Sequence, residues 1–130
     1  MPFYRISEME TQYVDMGKGQ TQSVAGELMK AGMITYPADG GPPPHYHPNE
    51  EQFLLVMEGE ANVILGDETR VVGPGDLVHI RRNERHGLRI TEGPFAFFTV
   101  KSPAGDGDLY QDYNKAEDAE AAREKLESTL

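Results

Sequence analysis

The side chains best suited to chemistry in this sequence are histidines, two of which form the triplet His45-Tyr46-His47. Alternate residues of a β-strand share a face, so these two imidazoles would point the same way, about 6–7 Å apart along the backbone. Imidazoles at that spacing can bind one metal ion. The triplet therefore indicates a metal-binding pair, and the alternative interpretation is two histidines at the mouth of a loop that follows Pro42–Pro44.

The composition restricts what such a site can contain. The 130 residues include no cysteine, which excludes disulfides, zinc fingers, iron–sulfur clusters and a thiol nucleophile. Any metal must therefore have nitrogen and oxygen ligands. The net charge of −10 argues against nucleic acid or an anionic membrane surface as a partner. Charged residues interrupt the apolar ones between Met1 and Glu10, so we expect no signal peptide and a cytoplasmic location.

The elements that must hold these histidines are short, because glycine and proline interrupt most of the chain. Nearly all of the 14 glycines and 9 prolines lie between Gly17 and Gly107. Segments rich in β-branched and aromatic residues alternate with these breakers at a spacing typical of a sandwich or barrel. The predicted strands cover residues 32–36, 53–57, 61–65, 77–80, 88–91 and 95–101. The sequence therefore predicts an all-β domain.

The segment from Asp108 to Leu130 differs, because it contains neither glycine nor proline. Asn114 followed by Glu117 has the spacing of a capping box, which predicts a helix over about residues 115–126. We expect this helix to lie on the surface or to fray, because its apolar stripe is thin. The stripe comprises Ala116, Ala119, Ala122 and Leu126. We therefore predict a barrel domain over residues 1–107 and a helical tail over residues 108–130.

Two stretches of the chain carry motifs of a known superfamily. The first runs from Gly41 through the histidine pair to the turn glycine Gly59, and the second runs from Gly73 to His86. Together they resemble the two sequence motifs of the cupin superfamily, and the resemblance extends over about residues 28–103. It implies a double-stranded β-helix, or jelly-roll barrel, with a metal site in which His86 is the last ligand.

The resemblance also implies one ligand that is not a histidine, for which Glu50, Glu51 and Gln52 compete. In the family pattern this ligand stands seven residues before the turn glycine, which selects Gln52. Strand alternation agrees, because it puts Gln52 and Leu54 on one face and Glu51 on the other. A bulge that brings Glu51 to the metal is the alternative. The implied ligand set is His45, His47, Gln52 and His86, which is uncharged and suits Fe, Mn, Ni, Co, Cu or Zn.

Two further side chains are candidates for catalysis. The family pattern turns Phe97, Thr99 and Lys101 of the last strand toward the barrel interior, where Lys101 could pair with a substrate carboxylate. If Lys101 lies at the barrel rim instead, it is only a solvated residue. Tyr36 is the second candidate, for proton transfer. The remaining histidine, His79, occupies a bystander position of the family pattern and is left out of the metal set.

The strand that carries Gln52 is apolar on both faces. Phe53, Leu55 and Met57 point away from the predicted metal, and a strand of this kind is usually covered on both sides. We predict that a second copy of the chain covers this face in a homodimer. The segment Phe3–Val14 of the same chain is the alternative cover.

The resemblance implies a metal-dependent enzyme that acts on a small, oxygen-rich, anionic metabolite by Lewis-acid chemistry of the isomerase, lyase or cyclase type. The glutamine-containing site is similar to that of cupins that isomerise unsaturated uronates or cyclise polyketides. The uronate enzymes carry an acidic residue at the position of Thr99, which disfavours that substrate here. A dioxygenase with a redox-active metal and a non-catalytic module that binds a metal or small ligand are the alternatives.

Overall fold

The computed structural model describes residues 2–130, which form one antiparallel sheet and a C-terminal helix. The strands are β1 (Gln12–Val14), β2 (Gly19–Ala25), β3 (Lys30–Tyr36), β4 (His45–Tyr46), β5 (Glu51–Leu65), β6 (Glu68–Val72), β7 (Leu77–Ile80), β8 (His86–Ser102) and β9 (Asn114–Lys115). Two 3-10 helices cover Ile6–Glu8 and Met16–Lys18, and the helix α1 covers Ala119–Ser128. The prediction of an all-β fold with a short C-terminal helix is confirmed.

Two long strands, β5 and β8, form the centre of the sheet. They pair with each other from Glu51 opposite Ser102 to Leu65 opposite His86. The register shifts between Val56 and Ala61, so each strand bends there and pairs with different neighbours on the two sides of the bend. β5 pairs with β7 before the bend and with β6 after it, while β8 pairs with β4 and β3 in turn.

The bend requires a glycine. Gly59 has a φ of 84°, in the left-handed region that favours glycine. A Cβ at this position would collide with the carbonyl oxygens of Glu92 and Pro94 on β8. The turn glycine of the sequence is therefore a bulge residue inside one long strand, and the two strands predicted at residues 53–57 and 61–65 are continuous.

Alternation along the strands decides what faces the interior. In β3 the buried residues are every second one, from Lys30 to Tyr36. In β5 the residues Gln52, Leu54 and Val56 are buried and Phe53 is exposed. The interior of the barrel is mostly apolar, and its buried members include Ile34, Tyr36, Leu54, Val56, Ile80, Phe95 and Phe97.

The helix begins later than the sequence predicts. Asn114 and Lys115 pair with β4 and form β9, so their backbone is extended and Asp118 is the residue that precedes the helix. The four residues of the predicted stripe are all buried, and Ala122 and Leu126 pack against Ile64 of β5. The helix therefore lies on the surface, as expected, with its stripe packed inward and its other residues exposed. The division of the chain at residue 107 stays a prediction.

Within residues 2–130, no helix combines the length and the apolarity that crossing a membrane requires.

Candidate metal centre

Three histidines converge at one end of the barrel. β4 begins with His45, His47 follows the strand, and strand pairing sets His45 directly opposite His86 at the start of β8. The ring centroids lie 4.3 Å apart for His45 and His86 and 4.9 Å apart for the other two pairs. One ring nitrogen from each residue lies within 4.8 Å of the other two. The three side chains form a site able to hold a metal ion.

Backbone carbonyls orient all three rings. His45 donates from Nδ1 to Pro43 at 2.8 Å, and His86 donates from Nδ1 to Glu84 at 2.9 Å. His47 donates from Nδ1 to the carbonyl oxygen of Asp112, in the C-terminal region, at 3.0 Å. A carbonyl oxygen only accepts, so each Nδ1 carries the proton and each Nε2 keeps its lone pair. This tautomer is the one in which Nε2 can bind a metal.

Burial keeps the histidines uncharged. The pKa of His45 is lowered to about 3, mainly by burial and to a smaller extent by the proximity of His86. Burial also lowers the pKa of His47 and of His86 to about 3, with smaller contributions from neighbouring positive groups. The rings are therefore neutral at pH 7, which is the form that binds metals.

Gln52 faces the histidines with its amide oxygen free. Its Nε2 donates to Thr99 Oγ1 at 2.8 Å, and the Thr99 hydroxyl donates in turn to the Phe53 carbonyl at 3.0 Å. Because the hydroxyl proton is already used, Thr99 must accept from Gln52, and this fixes which end of the amide is the nitrogen. Gln52 Oε1 is then a buried acceptor with no hydrogen-bond partner.

Glu51 lies on the outer face of the same strand. Its side chain is exposed and accepts a hydrogen bond from His79 Nε2 at 2.7 Å. His79 also stacks on Phe53, with the ring centroids 4.2 Å apart. The bulges of β5 lie farther along, beyond Val56, so β5 runs regularly through Glu51 and Gln52. The structure turns Gln52 inward and both Glu51 and His79 outward.

Unpartnered polar atoms test whether this site suits a cation. Among the described residues, the buried side-chain atoms without a hydrogen-bond partner are His47 Nε2, Gln52 Oε1 and Glu50 Oε1. All three are acceptors, and leaving one buried without a partner costs about 1–3 kcal/mol. Two of them belong to the predicted ligand set. The residues present therefore fit a divalent metal with nitrogen and oxygen ligands.

Both predicted catalytic residues line the same cavity as the histidines. The cavity has a volume of about 50 Å³, and its polar wall comprises His45, His47, Gln52, His86, Tyr36, Lys101 and Tyr110. Lys101 is 4% exposed, so it does not lie at a solvated rim. Burial is the main cause that lowers the pKa of its ammonium to about 8. The Tyr36 hydroxyl lies 2.8 Å from that of Tyr110, and burial raises the pKa of Tyr36.

A buried ion pair lies beside the cavity. Lys30 Nζ donates to Glu50 Oε2 at 2.5 Å and to Gln111 Oε1 at 3.2 Å. The side chains of Lys30 and Glu50 are 0% and 3% exposed, and Glu50 Oε1 lies 4.0 Å from Lys101 Nζ. The sequence indicated Glu50 only as a possible metal ligand and gave no role to Lys30. The position of Lys30 on the inward face of β3 is the signal that could have identified it.

Residues 108–113, which we call the closing segment, lie beside the cavity and the histidines. Tyr110 lines the cavity, and the Tyr113 ring lies 4.7 Å from that of His45. The Asp112 carbonyl is the acceptor for His47. No sequence pattern indicated a role for these residues, because they lie beyond both motifs and their contacts join positions far apart in the chain.

Comparison with known proteins assigns the family. Residues 32–101 match the sequence profile of the Cupin_2 family, described as Cupin domain. Among curated proteins, none matches this sequence.

Solved structures share the fold. KdgF from Halomonas sp. has a TM-score of 0.75 and 26% sequence identity, covering 82% of this chain and 97% of that one. The polyketide cyclase RemF from Streptomyces resistomycificus has a TM-score of 0.65 and 25% identity, covering 79% of both chains. Oxalate decarboxylase from Bacillus subtilis has a TM-score of 0.69 and 19% identity over 88% of this chain but only 32% of its own, and this likeness concerns the fold alone. With the family profile matched over more than half of the chain, the predicted jelly-roll fold is confirmed, and the chain belongs to the cupin family.

Proposed function

We propose that this cupin is a metal-dependent enzyme that acts on a small, oxygen-rich, anionic metabolite. One observation carries the proposal: an uncharged set of metal-binding side chains and the ammonium of Lys101 line the same buried cavity. Such a cavity offers a cation on one side and a second positive charge on the other, and both attract an anionic ligand.

Four residues would hold the metal: His45, His47 and His86 through Nε2, and Gln52 through Oε1. A divalent ion bound there would supply Lewis acidity toward an oxygen of the ligand. None of the four side chains carries a negative charge, so the ion would keep its full charge and would favour an anionic oxygen such as a carboxylate or alkoxide.

Lys101 and Tyr36 would act on the ligand from the protein side. Lys101 Nζ uses one donor on the Leu109 carbonyl at 2.5 Å, which leaves two N–H groups for a carboxylate of the ligand. Of the two hydroxyls of Tyr36 and Tyr110, one donates to the other, and the second keeps a proton that it can donate. We assign carboxylate binding to Lys101 and proton delivery to Tyr36.

The comparisons support chemistry of the isomerase, lyase or cyclase type. The solved structures at 25% identity or more include a protein whose name states a cyclase, the polyketide cyclase RemF, and its chain is covered to 79%.

The cavity wall offers three side chains for proton transfer, which are Tyr36, Tyr110 and Lys101. Thr99 is not acidic, and its hydroxyl accepts a hydrogen bond from the Gln52 amide.

The size of the cavity implies a movement of its wall. A volume of about 50 Å³ holds a few water molecules and no metabolite. Tyr110 of the closing segment lines the cavity from outside the strands of the barrel, as Pro42 and His47 also do. We propose that the closing segment moves aside when the ligand enters.

Elemental analysis of protein expressed with added metals tests the proposal. We expect about one transition-metal ion per chain in the wild type, no retained metal in His45→Ala, and weakened binding in Gln52→Ala. His79→Ala and Glu51→Ala are matched controls from the outer face and should keep the metal. A wild-type protein without metal would contradict the proposal, and loss of metal in Glu51→Ala but not in Gln52→Ala would contradict the ligand set.

A non-catalytic binding module is the second candidate function. The observation in its favour is that no carboxylate lines the cavity described above, so a conventional acid–base pair is missing. Thermal-shift screening of small carboxylates and hydroxy acids, followed by NMR of the hits over time, separates the two. A ligand that binds and stays unchanged with the metal-loaded protein favours the module, and a ligand that is converted favours the enzyme.

We also propose that the active form is a homodimer. On the outer face of β5 and β7, Phe53 is 43%, Met57 53% and Leu77 63% exposed, which leaves an apolar surface uncovered in the single chain. The alternative cover is the N-terminal segment, but its residue Phe3 is 91% exposed. Light scattering at micromolar concentration should give twice the mass of the chain for the wild type and the monomer mass for Phe53→Glu. A monomeric wild type would contradict the proposal.

A further inference from the structure

The three site histidines are held in two different ways. His45 and His86 each donate from Nδ1 to a carbonyl two residues earlier in the chain. His47 instead donates to the Asp112 carbonyl at 3.0 Å, across a sequence separation of 65 residues. Asp112 lies outside the matched cupin domain, which covers residues 32–101. The orientation of one ligand therefore depends on a segment that the family motifs do not include.

The closing segment also supplies acceptors to both buried lysines. Lys30 Nζ donates to the Asp108 carbonyl at 2.7 Å, and Lys101 Nζ donates to the Leu109 carbonyl at 2.5 Å. A buried ammonium needs such acceptors, because an unsatisfied charged donor in the interior is costly. The closing segment thus contributes three carbonyl oxygens to the interior of the site, each to a different functional side chain.

A pair of hydrogen bonds clamps this segment beside His47. The backbone nitrogen of Asn49 donates to Asp112 Oδ2 at 2.7 Å, and Asn49 Nδ2 donates to Oδ1 at 3.0 Å. Asn49 follows His47 by two residues, so the clamp ties the closing segment to the stretch that carries the ligand. Asn114 Nδ2 donates to the Asp112 carbonyl at 3.0 Å, which uses the second lone pair of that oxygen.

We propose that Asp112 is a positioning residue of the metal centre, held by Asn49 so that its carbonyl fixes the His47 ring. This inference rests on the proposed function, since it concerns a metal bound by His47. The bond to Nδ1 sets both the tautomer of His47 and the direction of its Nε2. Removing a partner of this kind lowers metal affinity about 10–100-fold. His45 and His86 keep their own carbonyl partners, so the loss is partial.

Titration with Co(II) tests this role. Metal-free wild type, Asp112→Ala, Asn49→Ala and the double variant are compared for chelator-competition affinity and for the visible absorption spectrum of bound Co(II), which reports ligand geometry. Asp112→Ala keeps the backbone carbonyl and removes both clamp bonds that hold it, so we expect the affinity to fall about 10-fold, at the lower end of that range, and the spectrum to change. Asn49→Ala removes one of the two clamp bonds and should have a smaller effect. The double variant should equal Asp112→Ala, because both changes remove the same clamp.

Two further variants separate positioning from folding. Asp112→Asn keeps an acceptor oxygen for Asn49 and should restore part of the affinity. Glu117→Ala removes an exposed carboxylate of the same region and should leave affinity and spectrum unchanged. The thermal midpoint of the metal-free proteins monitors the fold. If Asp112→Ala does not fold, the affinity and spectrum of Asn49→Ala decide whether the clamp positions His47.

The outcomes distinguish this inference from the proposed function. Wild-type affinity and an unchanged spectrum in Asn49→Ala and Asp112→Ala would overturn the positioning role alone. A wild-type protein that binds no Co(II) would overturn the proposed function and this inference with it. Additive losses in the double variant would show that Asn49 and Asp112 act separately and would overturn the clamp.

Discussion

Two regions of the molecule position the site, the paired strands of the barrel and the closing segment that follows them. In the barrel, ladder pairing sets His45 opposite His86, and each ring takes its carbonyl partner from two residues away. The closing segment has only short-range backbone turns of its own, and it acts through single carbonyl groups that reach His47, Lys30 and Lys101.

The barrel strands and the closing segment therefore determine two different properties of the site. The strands bring the ligands to one place, because strand pairing fixes the distance between them regardless of what lies beyond the barrel. The closing segment orients His47 and Lys101 through its carbonyls and shares the orientation of Lys30 with Glu50. The following experiments test this comparison.

The ion pair of Lys30 and Glu50 should give the largest effect, because it lies inside the barrel and Lys30 also donates to the Asp108 carbonyl of the closing segment. Glu50→Gln leaves the buried ammonium without its carboxylate, so we expect a loss of about 3–5 kcal/mol in the free energy of unfolding, measured with urea. The control is the exposed pair of Lys18 and Asp39, which has the same 2.5 Å separation. Asp39→Asn should cause no measurable change. Similar effects of the two substitutions would contradict the role of burial.

The tail helix should also contribute strongly to stability. Leu126 is 1% exposed and packs against Ile64, so Leu126→Ala should destabilise the protein by about 2–5 kcal/mol in the same assay. Leu130, which is 53% exposed, is the matched control, and Leu130→Ala should change stability by less than about 0.5 kcal/mol. If both leucines tolerate the change equally, the tail is not part of the folded unit.

Within the barrel, Thr99 should affect both stability and metal binding. Thr99→Val removes the acceptor of Gln52 Nε2, so we expect a destabilisation of about 1–3 kcal/mol. The freed amide can rotate, so Co(II) affinity should fall about 10-fold. Thr91→Val, at an exposed position of β8, is the control. Unchanged affinity in Thr99→Val would show that Thr99 does not orient the amide.

The smallest expected difference between the closing segment and the barrel strands is one of dynamics, which hydrogen exchange measures. Few backbone hydrogen bonds hold the closing segment, whereas β5 and β8 pair along their length. We expect its amide protons to exchange faster than those of β5 and β8, and to slow when a ligand binds. Equal protection in the two regions would contradict the proposal that the closing segment opens.

Much of the barrel could be predicted from the sequence. Where the prediction missed an element or placed its end wrongly, the reason is physical. The strand at residues 77–80 agrees with β7, because the turn glycines Gly73 and Gly75 precede it and a run of charged and polar residues follows it. β2 and β6 were not predicted, since their residues are largely polar and their strand character depends on pairing with β3 and β5. The helix was predicted to start at Lys115, but pairing of that residue with His45 keeps it extended.

The sequence by itself determined the all-β fold and the pairing of His45 with His47, because short-range spacing and strand alternation carry that information. Its resemblance to the cupin motifs added the family and the convergence of His86 on this pair. Alternation also predicted that Gln52 faces inward. Only the tertiary structure decided that Lys30 and Lys101 are buried beside one carboxylate, and that the Asp112 carbonyl orients His47. These contacts join residues far apart in the chain through single hydrogen bonds, and no local pattern in the sequence records such a bond.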